Sequence, residues 1–227
     1  MSTTNIYANL LVQFEKVFKH NRQGSYKTKQ RYGEAFKRFL YFLAVEYRLE
    51  RIANIAVAKA QELGREDYAT VFCLARYAAL RLHECFRIDT QTAANAVKTG
   101  IITIKGKGGL VRDVPINLSI EIELKKMLSV TPRGHKLFVK PDDRTHLAMQ
   151  RVEEFIRYYK PQIQDSCSTR PLHFHGLRHT CAVEWYKGYI ESGDSEFQAR
   201  KKVAKLLGHS RDDVTKVYLA SLTSGER

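Results

Sequence analysis

The stretch KLLGHSRDDVTKVY, Lys205 to Tyr218, closes an apolar helix with a glycine, follows it with a histidine and reaches a tyrosine nine residues after that histidine. Working back from it, Ala199, Val203, Leu206 and Leu207 recur at helical spacing and form one buried stripe. Gly208 then stands where helices commonly end on a left-handed residue, so His209 is expected just beyond a helix end. Ser210 and Asp213 have the spacing of a capping box and predict a new helix carrying Val214, Val217 and Tyr218. On such a face a tyrosine taken alone reads as a packed core residue.

The 227 residues suffice for one good core, or for a full domain plus a small one. With 44% apolar residues and five prolines the chain reads as globular. Lys and Arg outnumber Asp and Glu 38 to 24, spread along the chain, which points to a polyanionic partner and first of all to nucleic acid. No apolar run approaches the roughly 20 residues of a membrane span, and the opening MSTTNIYANLL lacks signal-peptide order, so a cytoplasmic protein without a membrane partner is expected. Cys73, Cys85, Cys167 and Cys181 form no C-x-x-C pair and read as reduced, mostly buried thiols.

Two amphipathic helices open the chain, with Leu10, Phe14, Val17 and Phe18 on one face and Tyr32, Phe36, Phe39, Leu40 and Leu43 on the other's. Lys27, Lys29 and Arg31 crowd the start of the second; they are either a solvated face or, as their density favours, phosphate contacts. From about Ala58 a long helical stretch follows, broken near Gly64, and the division is placed at residues 1–57 and 58–227. GIITIKGKGGLVRDVPI predicts a β-hairpin with Lys107 at its tip, and HKLFVK a further short strand. The remainder reads as helical with breaks at DSCSTRP and ESGDS. The fold class is therefore mainly α with a small antiparallel β-sheet.

In HFHGLRHTC, His175 and Arg178 share a helical face and can meet one anion. His173, His179 and Cys181 suggest a metal, but the zinc-protease signature needs a glutamate where Gly176 stands, and no metal is expected. Arg81, Lys107, His175, Arg178 and His209 together supply cations and proton carriers, and Tyr218 a hydroxyl. Negative charge building on a phosphodiester under attack is what arginines stabilise, while a lysine can protonate a leaving oxygen and a histidine accept a proton.

These residues fall in four ordered blocks: ALRLHE with Arg81 and Glu84, IKGKGGLVRDVPI with Lys107, HGLRHT with His175 and Arg178, and LGHSRDDVTKVY with His209 and Tyr218. In this order the sequence resembles the tyrosine recombinases, the phage integrase family of site-specific DNA recombinases. The resemblance implies a tyrosine-recombinase-like catalytic domain over 58–227, preceded by a truncated helical core-binding (SAM-like) segment over 1–57. It further implies that Tyr218 attacks DNA to form a 3′-phosphotyrosine and that Arg81, Arg178 and His209 hold the phosphate. Lys107, with Lys105 as the competing candidate, would protonate the 5′-oxygen, His175 would assist proton transfer, and Glu84 would orient the site. Neither ATP nor a metal is implied, and no cofactor. The implied partner is double-stranded DNA, bound by a homo-oligomer, a tetramer, and the implied origin a bacterial mobile element.

Three departures stand out. The family's T-G-L-R turn is AALR here, with Ala79 in the glycine position; the helices expected to follow the first two are missing; and only LASLTSGER follows Tyr218. A DNA-binding protein without productive recombination, competing with a full-length relative, is the alternative, and a type IB topoisomerase-like relaxing enzyme a third reading.

Overall fold

The computed structural model describes residues 48–106, 109–163 and 173–208. The first helix, α1 (Arg48–Glu62), turns Ala53, Ala56 and Ala60 inward, and these small residues let the next helix approach closely. The expected division at 57/58 falls inside this helix. Gly64, in the left-handed region at φ +67°, ends it as expected and redirects the chain into α2 (Glu66–Ala78). Ten of the thirteen residues of α2 are buried, which makes it the central rod, packed by α1, by α5 (Leu118–Val130) and by α7 (Phe174–Glu191).

The long helix expected to run from Ala58 to Phe86 has a second break. At Ala79 the backbone is left-handed, φ 48° and ψ 36°, and the N–H groups of Ala79 and Leu80 both return to the Leu74 carbonyl. The chain restarts as the single turn α3 (Leu82–Cys85), so Arg81 precedes a helix instead of lying within one. Next comes α4 (Thr90–Thr99), begun by the Asp89 carboxylate accepting from the Thr92 N–H at 2.7 Å and ended at Gly100.

The predicted hairpin forms from β1 (Ile101–Lys105) and β2 (Val111–Pro115), antiparallel, with Ile102 opposite Val114 and Ile104 opposite Arg112. Period-two alternation buries Ile102, Ile104, Arg112 and Val114 and exposes their neighbours. The strand expected at HKLFVK reduces to one bridge between Asp89 and Lys136: Leu137 donates to the Ile88 carbonyl, and Leu137 and Phe138 then turn into the core. Among the described residues the remaining helices are α6 (Thr145–Ile163) and α8 (Glu196–Leu207), the latter opened by a Ser195–Gln198 capping box after the expected break at ESGDS.

Phe72, Phe155, Phe174 and Tyr68 interlock in the main core. A smaller cluster of Ala79, Cys181, Ala182, Val203 and Leu207 joins the α2–α3 turn to α7 and α8. Of the stripe predicted on α8, Ala199, Val203 and Leu207 are buried, whereas Leu206 is half-exposed and Ala204 takes its place. Cys73, Cys85 and Cys181 are free and buried, and burial pushes the Cys73 and Cys181 thiols up to about 12. Among the described residues no helix is long and apolar enough to cross a membrane.

Candidate active site

One carboxylate organises the site. Glu84, on α3, is fully buried, yet both its oxygens meet cations from three separate parts of the chain. Arg81 donates to Oε1 at 3.0 Å through its side chain and to Oε2 at 2.7 Å through its backbone N–H. The backbone bond is the returning half of a capping box; the other half is lacking, because a guanidinium accepts no hydrogen bond. Arg112, on β2, adds a two-point pair to the same oxygens at 2.8 and 2.7 Å, and Nη1 of Arg178, on α7, lies 3.6 Å from Oε2. Burial alone would raise the Glu84 carboxyl, but the Arg112 hydrogen bonds, the Arg81 N–H and the charges of Arg112 and Arg81 bring it down to about 2.

The arginines divide the work. Arg178 is fully buried and donates to the carbonyls of Ala79 and Leu207. Arg112 donates through Nε to the carbonyl of Leu206 at 2.8 Å. The last carbonyls of a helix have no partner within it and carry the negative end of its dipole, so two guanidiniums at the end of α8 are electrostatically matched. Arg81 keeps 25% of its side chain exposed, against 4% for Arg112 and none for Arg178, and is the arginine of this group that faces solvent. Three guanidiniums against one carboxylate leave the spot strongly positive, as a phosphodiester requires.

His175 lies at the start of α7, one helical turn before Arg178, with its ring reaching the surface. Partial burial and the charges of Arg178 and Arg81 hold its pKa below the ordinary imidazole value, which favours the neutral ring, the form that accepts a proton. Lys105, the last residue of β1, is exposed, and its carbonyl accepts from Arg87 at 3.0 Å.

Arg81, Glu84, His175 and Arg178, drawn from two of the four blocks, therefore converge. Lys107, His209 and Tyr218 lie outside the described residues, as do Lys27, Lys29 and Arg31. The chain reaches the first two through described glycines, Gly106 and Gly208. Gly208 ends α8 in the predicted left-handed conformation, φ +66°. Arg112 was not singled out in the sequence, although a signal existed: once Ile102 and Ile104 face inward, hairpin register places Arg112 inward beside Ile104, and a buried cation needs a partner.

The sequence profile described as the phage integrase family matches residues 46–224. This chain belongs to the phage integrase family. Its fold is likewise that of the tyrosine recombinases. The crystal structure of XerA recombinase superposes with a TM-score of 0.57 at 16% identity, over 96% of this chain and 81% of that one. The Tn1549 transposon integrase, in complex with circular intermediate DNA, gives 0.51 at 12% identity, over 78% of this chain and 62% of that one. The XerH site-specific recombinase bound to palindromic difH substrate, a post-cleavage complex, gives 0.52 at 20% identity, over 78% of this chain and 50% of that one. No curated protein matches significantly.

Proposed function

We propose that this integrase-family chain is a site-specific DNA recombinase of a mobile element, cutting and rejoining double-stranded DNA through Tyr218. The observation that carries the reading is the buried Glu84 carboxylate gathering three arginines while Arg81 faces solvent. In this reading a phosphate docks on Arg81, and Arg178 and Arg112 supply fixed positive charge behind it, so charge growing on the non-bridging oxygens meets a preorganised field.

The Tyr218 oxygen attacks phosphorus, His175 takes the phenolic proton, the bond to the 5′-oxygen breaks, and Lys107 protonates that oxygen. One phosphodiester becomes a 3′-phosphotyrosine and a free 5′-hydroxyl; attack by a second 5′-hydroxyl reverses each transfer and joins new strands. Bond energy is retained in the ester, so the cycle balances without a nucleotide or a metal. His209 joins Arg81 at the phosphate. Residues 58–227 form the catalytic part, and Lys27, Lys29 and Arg31 of 1–57 lie on flanking phosphates of a DNA-bound homotetramer.

The test uses nicked duplexes carrying candidate attachment sites, from which the short cleaved fragment diffuses away, in the presence of EDTA. A denaturant-resistant protein–DNA adduct that disappears in Tyr218→Phe is the expected result. DNA retention without any adduct would overturn the reading and favour a binding protein that competes for sites.

A further inference from the structure

Arg112 sits where the two remaining blocks of the site leave the described chain. Its guanidinium binds both Glu84 oxygens at 2.8 and 2.7 Å and the Leu206 carbonyl at 2.8 Å, so each nitrogen is committed. Two glycines back directly onto it. A Cβ on Gly208 would lie 3.1 Å from Nη1 and 3.2 Å from Cδ of Arg112, and a Cβ on Gly106 would lie 3.4 Å from Nη1 and 3.4 Å from Glu84 Oε1. Gly106 immediately precedes Lys107, and Gly208 immediately precedes His209. The Gly106 N–H also donates to the Leu110 carbonyl at 2.7 Å, closing the base of the hairpin tip.

We infer that Arg112 is a positioning residue that anchors, through one guanidinium, the points from which the chain enters both Lys107 and His209, and ties both to the carboxylate holding Arg81. The catalytic consequence rests on the recombinase reading above; the anchoring itself does not. The physical reason is geometric. A planar guanidinium offers donors in fixed directions, so Arg112, held by Glu84 and by the Leu206 carbonyl at the end of α8, is a fixed surface against which Gly106 and Gly208 pack. A lysine places one charge beside Glu84 but lacks the third direction toward Leu206.

The experiment compares the full chain with Arg112→Lys, Arg112→Met, the charge-free pair Glu84→Gln/Arg112→Met, and Gly208→Ala. The paired variant avoids stripping a buried carboxylate of its two-point partner, a loss that destabilises by itself. Two readouts are taken: hydrogen exchange of the Lys205–Gly208 amides, and the rate of Tyr218 adduct formation on the nicked duplexes carrying candidate attachment sites. Exchange at the end of α8 should rise in every variant relative to α2. Adduct formation should fall by about 100-fold in Arg112→Met, as expected for misplacement by about an ångström, with Arg112→Lys intermediate. Gly208→Ala combined with Arg112→Lys should cost less than the two separately, because the shorter amine end leaves room for the methyl.

A pH profile separates positioning from packing. Glu84 is faced by Arg81 just before α3, by His83 within it, by Arg112 from β2 and by Arg178 from α7. Losing Arg112 raises the carboxyl, so the loss of α8-end exchange protection in acid should move to higher pH in Arg112→Met and vanish in the paired variant, while the acid limb of the adduct rate, set by His175, stays in place. Exchange and adduct rates both indifferent to Arg112, in a parent chain that forms the adduct, would overturn the inference and leave the reaction standing. Exchange that responds in a parent chain forming no adduct would sink the proposed reaction and leave the anchor standing.

Discussion

Arg76 on α2 and Glu184 on α7 form a two-point ion pair, at 2.7 and 2.6 Å, between residues 108 positions apart. Arg76 is 2% exposed and Glu184 is 48% exposed. The pair fastens the helix leading into Arg81 to the helix carrying Arg178. Glu184→Ala should lower stability by about 1–2 kcal/mol, less than a fully buried pair would lose because water reaches the glutamate. Urea denaturation of the two chains checks this, and Glu184→Gln should recover part of the loss.

Ala79 holds a left-handed conformation that costs an L-residue roughly 1 kcal/mol, at a site where its methyl is buried against Cys181, Val203 and Leu207. Ala79→Gly relieves that strain but gives up about 0.8 kcal/mol of methyl burial and some entropy, so the two should be close to equal in stability. Ala79→Val should lose more than about 2 kcal/mol, since a β-branched residue at positive φ is strained and the pocket is full. Thermal melts of the three chains decide it.

The Glu84 carboxyl, held at about 2 against an ordinary 4.5, links stability to acid. Its folded value is the lower one, so its contribution is present above the unfolded value and is lost as the pH falls from about 4.5 toward 2. Glu84→Gln should flatten the acid side of the stability profile across that window while lowering stability at neutral pH. Denaturant midpoints measured through the window test both parts.

His175 carries the opposite proton arithmetic to a salt-bridged histidine. Burial and the Arg178 and Arg81 charges depress it, so its neutral form persists below the usual imidazole value. The acid limb of adduct formation at subsaturating DNA, which reports the free protein, should therefore fall below pH 6.5. His175→Gln should remove that limb and slow the reaction by about 100-fold.

Lys105 and Lys107 compete for the role of acid. Lys105 belongs to β1, with its carbonyl taken by Arg87. Lys105→Ala should change the adduct rate little, whereas Lys107→Ala should lower it by about 100-fold or more. A substrate with sulfur in place of the 5′-oxygen needs no proton to leave and should rescue the variant of the true acid and not the other.

Local chemistry was legible in the sequence. The glycine ends of α1 and α8, the hairpin between Ile101 and Pro115, the helix break at ESGDS and the closeness of His175 to Arg178 all depend on residues within a few positions of one another. The resemblance of four ordered blocks added the family and the pairing of distant residues in one site. HKLFVK misled because a strand needs a partner along its length, and Asp89 supplies only one bridge.

Only the tertiary structure decided what the buried charges do. That Arg178 donates to the carbonyls of Ala79 and Leu207, and that Arg112 joins Glu84 to the end of α8, are contacts across 28 to 99 positions of sequence. The sequence by itself determined the local turns and the family to which they belong, because backbone preference and spacing act over one or two turns of chain. Which guanidinium meets which carbonyl is set by how helices and hairpin close on one another, since a buried cation takes whatever acceptors the packed chain brings within reach.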